Sequence, residues 1–220
     1  MKVALVRHYK VNKGLPENHR LSTDELVAWF QEYDESDITY GETDLNNIEW
    51  KRCFSSDMPR AHKTAKHIYK QEITLLPELR EIPMPIIPLK FKLPFILWAI
   101  LFRMSGLINK QARKDMAETK RKVAAVLDRA ISESEDDLLI VSHGGIMKFM
   151  RKELIKRGFK GPRFDIAVNG KLYLLKSNRM KFTRKSRRDY PLRLFNNHFL
   201  QLLMLHAKRY LFGYYERFHA

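Results

Sequence analysis

Two histidines stand at the ends of short apolar runs, His8 after Lys2-Val3-Ala4-Leu5-Val6-Arg7 and His143 after Asp137-Leu138-Leu139-Ile140-Val141-Ser142. Runs of this kind read as buried strands, and in open α/β sheets ligands gather outside the carboxyl ends of strands. The spacing therefore predicts one crevice that holds both imidazoles. Gly144-Gly145 lets backbone approach a ligand closely, and the helix expected to start there offers unpaired N–H groups to an anion. Arg60 gives an independent argument. It follows Pro59 in the first turn of an expected helix, where the macrodipole favours negative charge by ~0.3–1 kcal/mol. A phosphate dianion shared by Arg60 and the helix end removes that discomfort and accepts bidentate hydrogen bonds from a guanidinium. Arg7 has the same chemistry to offer from the first strand. These residues describe a phosphate site.

Leu5-Val6-Arg7-His8, Ser55-Ser56-Asp57-Met58-Pro59-Arg60-Ala61-His62-Lys63-Thr64-Ala65 and Val141-Ser142-His143-Gly144-Gly145 resemble three ordered motifs of the histidine phosphatase superfamily, the phosphoglycerate mutase-like fold. The resemblance runs from Lys2 to about Lys176. It implies that His8 is the nucleophile and becomes phosphohistidine, with Arg7, Arg60, His143 and Gly144 around the phosphate. It also implies an acid/base carboxylate in a Leu-x-Glu context after the third strand. Leu79-Arg80-Glu81 matches that context, so Glu81 is the candidate ahead of Glu78. The chain departs from the family where Tyr9, Lys10, Val11 and Gly14 stand in place of a Gly-Glu-Thr run and an asparagine, with Asn12 displaced. It departs again at Ile82-Pro83-Met84-Pro85-Ile86-Ile87-Pro88, where a common branch has a Trp-Glu-Gly element.

Such a set suits phosphoryl transfer in two displacements. A neutral imidazole attacks phosphorus while cations stabilise the equatorial oxygens, and one carboxyl protonates the leaving oxygen and then activates water. The expected function is a metal-independent phosphatase acting on a small phosphomonoester, with no cofactor and no metal. A phosphomutase of the same fold and a non-catalytic phosphate-ligand-binding or regulatory protein stay open as alternatives. His62 and His67 are expected at the surface or in packing, and Lys10 as a solvated lysine.

The elements that must position these residues follow from periodicity. Ser22-Thr23-Asp24-Glu25 opens a helix with a capping box, and Leu26, Trp29, Phe30 and Tyr33 follow at helical spacing. Strands are expected at Arg52–Ser55, Ile73–Leu76, Asp137–Ser142 and Lys171–Leu175. Helices are expected from Pro59 to about Lys70, from about Asn109 to Ser134, and from His143 through about Arg157. Strands alternating with helices imply a three-layer α/β/α sandwich around a mostly parallel sheet. Residues 1–178 read as one domain with an apolar insertion at about 83–108 after the third strand. Residues 179–220 read as a basic and aromatic C-terminal extension.

The net charge is +16, and Lys181 to Ala220 alone carries nine Lys/Arg against two Asp/Glu. No nucleic-acid signature accompanies that charge, so no specific nucleic-acid partner is expected. The most apolar stretch, Leu93–Phe102 between Lys92 and Arg103, falls short of the ~20 residues that a spanning helix needs. Its expected role is a helix packed on the domain, an apolar lid, or a weak membrane-surface or dimer contact, and the C-terminal extension shares the last of these. Cys53, the one cysteine, reads as a buried small hydrophobe. With no signal-peptide pattern before Arg7-His8, the expected location is cytoplasmic.

Overall fold

The computed structural model describes residues 1–16, 20–83, 85 and 87–177. Six strands build the central sheet: β1 (Lys2–Arg7), β2 (Arg52–Ser55), β3 (Ile73–Leu75), β4 (Leu138–Ser142), β5 (Phe159–Lys160) and β6 (Leu172–Ser177). Their spatial order is β3-β2-β4-β1-β6-β5. The four strands from β3 to β1 are parallel, while β6 runs antiparallel to β1 and β5 antiparallel to β6. Among the described residues the α-helices are α1 (Thr23–Glu35), α2 (Pro59–Ile68), α3 (Phe95–Ile108), α4 (Lys110–Glu133) and α5 (Gly144–Lys156), of which α2 packs on one face of the sheet and α4 and α5 on the other.

Strand residues alternate between two cores, as a period of two demands. Val3 and Leu5 of β1 and Leu138 and Ile140 of β4 pack with Val123 and Leu127 of α4 and Ile146 and Met150 of α5. Ala4, Val6, Leu139 and Val141 face the other way, onto Ala61 and Ala65 of α2. The three layers expected from the sequence are therefore present. Cys53 is buried in the second core, where burial pushes its thiol up to about 12.

The capping box forms at the start of α1, with Ser22 Oγ accepting from Glu25 N–H at 3.2 Å and Glu25 Oε2 accepting from Ser22 N–H at 2.7 Å. Pro59 occupies the first turn of α2, where its missing N–H costs nothing. The apolar run after Lys92 begins with a short ribbon, Leu93–Pro94 pairing Arg20–Leu21, and continues as α3. Trp98 is fully buried with Leu21 and Leu26, and its Nε1 donates to Leu21 C=O at 3.0 Å. The run is thus a helix packed against α1. Among the described residues no helix is long and apolar enough to cross a membrane. The expectations for 179–220 fall outside the described residues.

Candidate active site

β4 lies between β1 and β2, so the carboxyl ends of three adjacent parallel strands deliver Arg7-His8, Ser55-Ser56 and Ser142-His143 to one place. The crevice is where open α/β sheets hold ligands. The backbone of His8 is fixed from several directions. Its N–H donates to Ser142 C=O at 2.9 Å, and its C=O accepts from Asn169 Nδ2 at 2.7 Å. The next N–H, of Tyr9, donates to Thr64 Oγ1 at 2.9 Å, and that hydroxyl in turn donates to Arg60 C=O at 2.7 Å. Thr64 thereby ties the His8 loop to α2.

The His8 ring is buried, and its Nδ1 lies 2.6 Å from the carbonyl oxygen of Tyr9. A carbonyl only accepts, so Nδ1 carries the hydrogen and Nε2 keeps its lone pair. Burial first, then the charges of Arg7 and Arg60, bring the His8 pKa down to about 3 against the opposing pull of the Tyr9 carbonyl. His143 lies beside it, the ring centroids 5.1 Å apart. Burial, then His8, Arg60 and Arg7, hold its pKa well below the usual histidine range. His143 Nε2 shares a 2.9 Å hydrogen bond with Ser56 Oγ.

Three buried nitrogens in this group have no hydrogen-bond partner among the described residues: Arg7 Nε, Arg60 Nε and His143 Nδ1. The two guanidinium N–H groups are obligate donors, and leaving a buried donor unmet costs roughly 1–3 kcal/mol. An oxyanion supplies the acceptors they lack. Gly144 lies against Arg7: a Cβ there would stand 3.5 Å from Arg7 Nε, an ordinary van der Waals contact.

Two expectations change in detail. Two of the N–H groups at the start of α5, those of Gly145 and Ile146, are not left open for a phosphate. Glu81 takes them, Oε2 accepting from Gly145 N–H at 2.9 Å and Oε1 from Ile146 N–H at 3.0 Å. A carboxylate is the anion that a helix N-terminus favours, and Ser142 Oγ, donating to Leu79 C=O at 2.7 Å, secures the segment that carries it. Arg60, in turn, already has a carboxylate: its Nη1 donates to Asp34 Oδ1 at 2.6 Å, and its guanidinium lies 5.3 Å from the centre of the Tyr33 ring. The phenol of Tyr33, raised mainly by burial, sits in the field of Arg60, Arg7, Asp34 and Glu81.

The structure thus brings together His8, His143, Arg7, Arg60, Gly144 and Glu81. His67 packs its ring on Tyr9 and Tyr40, with centroids 5.6 and 5.0 Å away. Lys10 is exposed on a short strand, and His62 is half-buried on α2. Sequence reasoning had not singled out Asp34, Ser56, Thr64 or Asn169. Ser56 and Thr64 lay inside a quoted motif; Asp34 and Asn169 carry no local signal.

A family model described as the histidine phosphatase superfamily (branch 1) matches residues 40–189. The matched stretch contains Arg60, Glu81 and His143 and begins after Arg7 and His8. No curated protein matches the chain. Solved structures similar to it include the alpha-ribazole phosphatase of Shigella flexneri, 18% identical over 79% of this chain and 89% of that one, with a TM-score of 0.49. Another is a phosphoserine phosphatase of Entamoeba histolytica in complex with 3-phosphoglyceric acid, 19% identical over 70% and 80%, at 0.46. A third is a phosphoglycerate mutase of Bacillus anthracis, 18% identical over 71% and 81%, at 0.45.

Proposed function

The chain belongs to the histidine phosphatase superfamily (branch 1), and on that premise we propose that it is a metal-independent phosphatase that hydrolyses a small phosphomonoester through phosphohistidine at His8. The observation that carries this reading is the state of the His8 ring. Its Nδ1–H is committed to the Tyr9 carbonyl at 2.6 Å and its pKa is held near 3, so Nε2 is an unprotonated nucleophile at neutral pH beside two arginines.

In the first displacement Nε2 forms a bond to phosphorus as the bond to the ester oxygen breaks, and Glu81 gives that oxygen its proton. In the second, water attacks the phosphohistidine, Glu81 takes the proton from water, and the P–N bond breaks to return His8 and release inorganic phosphate. Arg7, Arg60, His143 and the Gly144 backbone bind the phosphoryl oxygens throughout. In this reading residues 1–178 are the phosphatase domain with 83–108 inserted after its third strand, 179–220 is an extension, and the protein works in the cytoplasm.

The test is release of inorganic phosphate from nitrophenyl phosphate in the presence of chelator. Wild type is expected to turn over, and His8→Ala to lose about 10³-fold or more, as removal of a covalent nucleophile does. Equal release from both proteins rejects the reading. With a phosphoester that carries a second hydroxyl as substrate, isomerised product without free phosphate marks a mutase instead.

A further inference from the structure

A groove of about 210 Å³ lies between α1 and α3, lined by Leu26, Val27, Phe30, Ile87, Phe102 and the fully buried Trp98. Asp34 lines the same groove, and its Oδ1 is the atom that accepts from Arg60 Nη1 at 2.6 Å. One end of the groove is therefore a single ion pair away from the phosphate site. We propose that this groove is the subsite for the non-phosphate part of the substrate, and that this part is an elongated apolar chain. The proposal rests on the phosphatase reading of the His8 site for its other half.

Shape is the first argument. The α1 residues on the groove, Thr23, Leu26, Val27, Phe30, Gln31 and Asp34, recur at three- and four-residue steps, which is one stripe of a helix. At 1.5 Å per residue the stripe is about 16 Å long. A small volume spread over that length suits a chain better than a compact ring.

Chemistry is the second argument. Among the groove's own lining, the polar side-chain groups are those of Thr23, Gln31 and Asp34 and the Trp98 indole N–H, which is engaged with Leu21 C=O. Thr23 Oγ1 already donates to Ile87 C=O and accepts from Leu89 N–H, both at 3.1 Å, and Asp34 is engaged with Arg60. A sugar or nucleoside placed there would leave hydroxyls unpaired, and a site discriminates most strongly through unpaired buried polar groups.

Alkyl phosphonates from butyl to decyl, kept below their micellar concentrations, test this by calorimetry on the full chain. They bind without turnover. Affinity is expected to rise with length by up to about fourfold per methylene, the equivalent of about 0.8 kcal/mol. Val27→Glu, which puts a charge in mid-groove, is expected to flatten that slope. Gln31→Leu, on the exposed rim, is expected to steepen it and keeps the test available if Val27→Glu fails to fold. A flat series in wild type, or a slope that Val27→Glu and Gln31→Leu both leave unchanged, overturns the proposal and leaves the groove to a protein segment. Loss of phosphate release with the length dependence intact rejects the catalytic reading alone; turnover with a flat series rejects this one alone.

Discussion

Glu81 and the start of α5 work as one unit. Its carboxylate accepts from Gly145, Ile146 and Ile82 N–H, and a Cβ on Gly145 would stand 2.6 Å from Glu81 Oε1. Gly145→Ala therefore pushes the carboxylate off its seat while substituting a better helix former. Because a general acid contributes roughly 10²–10⁴-fold, kcat is expected to fall by about 10²-fold. The loss should be larger for alkyl phosphates than for nitrophenyl phosphate, whose leaving group needs its proton less. Steady-state kinetics on both esters check this, and an equal loss on the two removes Glu81 from the proton path. Asp34 makes the opposite prediction. Asp34→Asn keeps an acceptor for Arg60 but removes a negative charge beside the phosphate site. For so exposed a partner the effect is about 0.2–1 kcal/mol, or roughly 1.5- to 5-fold tighter inhibition by inorganic phosphate; weaker inhibition would show that the charge of Asp34 is needed to hold Arg60. The two residues also differ in legibility. Glu81 follows a strand in a local pattern, whereas Asp34 matters through a contact with Arg60, 26 positions on, and Asn169 through one with His8, 161 positions back. No local pattern encodes such pairs.

At the scale of elements, the helices with a written start were legible, α5 was placed by the strand and glycines before it, and α3 was left as one of several readings. Ser22 and Glu25 announce α1, Pro59 announces α2, and Asn109 caps α4 by accepting from Gln111 and Ala112 N–H. The run from Leu93 to Phe102 has no polar face, so its periodicity cannot say which side is buried. That is decided by the apolar stripe of α1, which takes Trp98 and leaves Ile96 and Leu97 outside. The difference is measurable. Trp98→Ala empties a fully buried site and is expected to cost about 3–5 kcal/mol, read from the urea midpoint. Ile96→Ser and Leu97→Ser should stay within about 0.5 kcal/mol. Comparable losses at all three positions would mean that the exposed face of α3 is covered.

For the whole molecule, alternation of strands and helices conveyed a parallel sheet, but the order of strands is a set of long-range pairings, such as Val6 beside Val141, that no stretch of sequence contains. The ribbon Lys10–Val11 with Ile38–Thr39 is too short to leave any pattern. What that order does is bury two neutral histidines at one crevice, and this makes stability depend on pH. The His8 pKa is about 3 in the folded protein against an ordinary value of 6.5, and that of His143 is lowered in the same direction. Below pH 6.5 the unfolded chain therefore binds protons that the folded one refuses. Their contribution is intact above about pH 6.5 and is lost as pH falls below it, for His8 down to about pH 3, at up to about 1.4 kcal/mol per pH unit for each histidine. Urea midpoints between pH 7.5 and 5 should show this slope, in a window where ordinary carboxylates barely titrate. His8→Ala is expected to remove about half of it and His8→Ala/His143→Ala nearly all. A slope that survives the double substitution would place its source outside the crevice, and one absent from wild type would mean that the folded and unfolded chains bind protons alike, so that the crevice does not hold the two histidines neutral below pH 6.5.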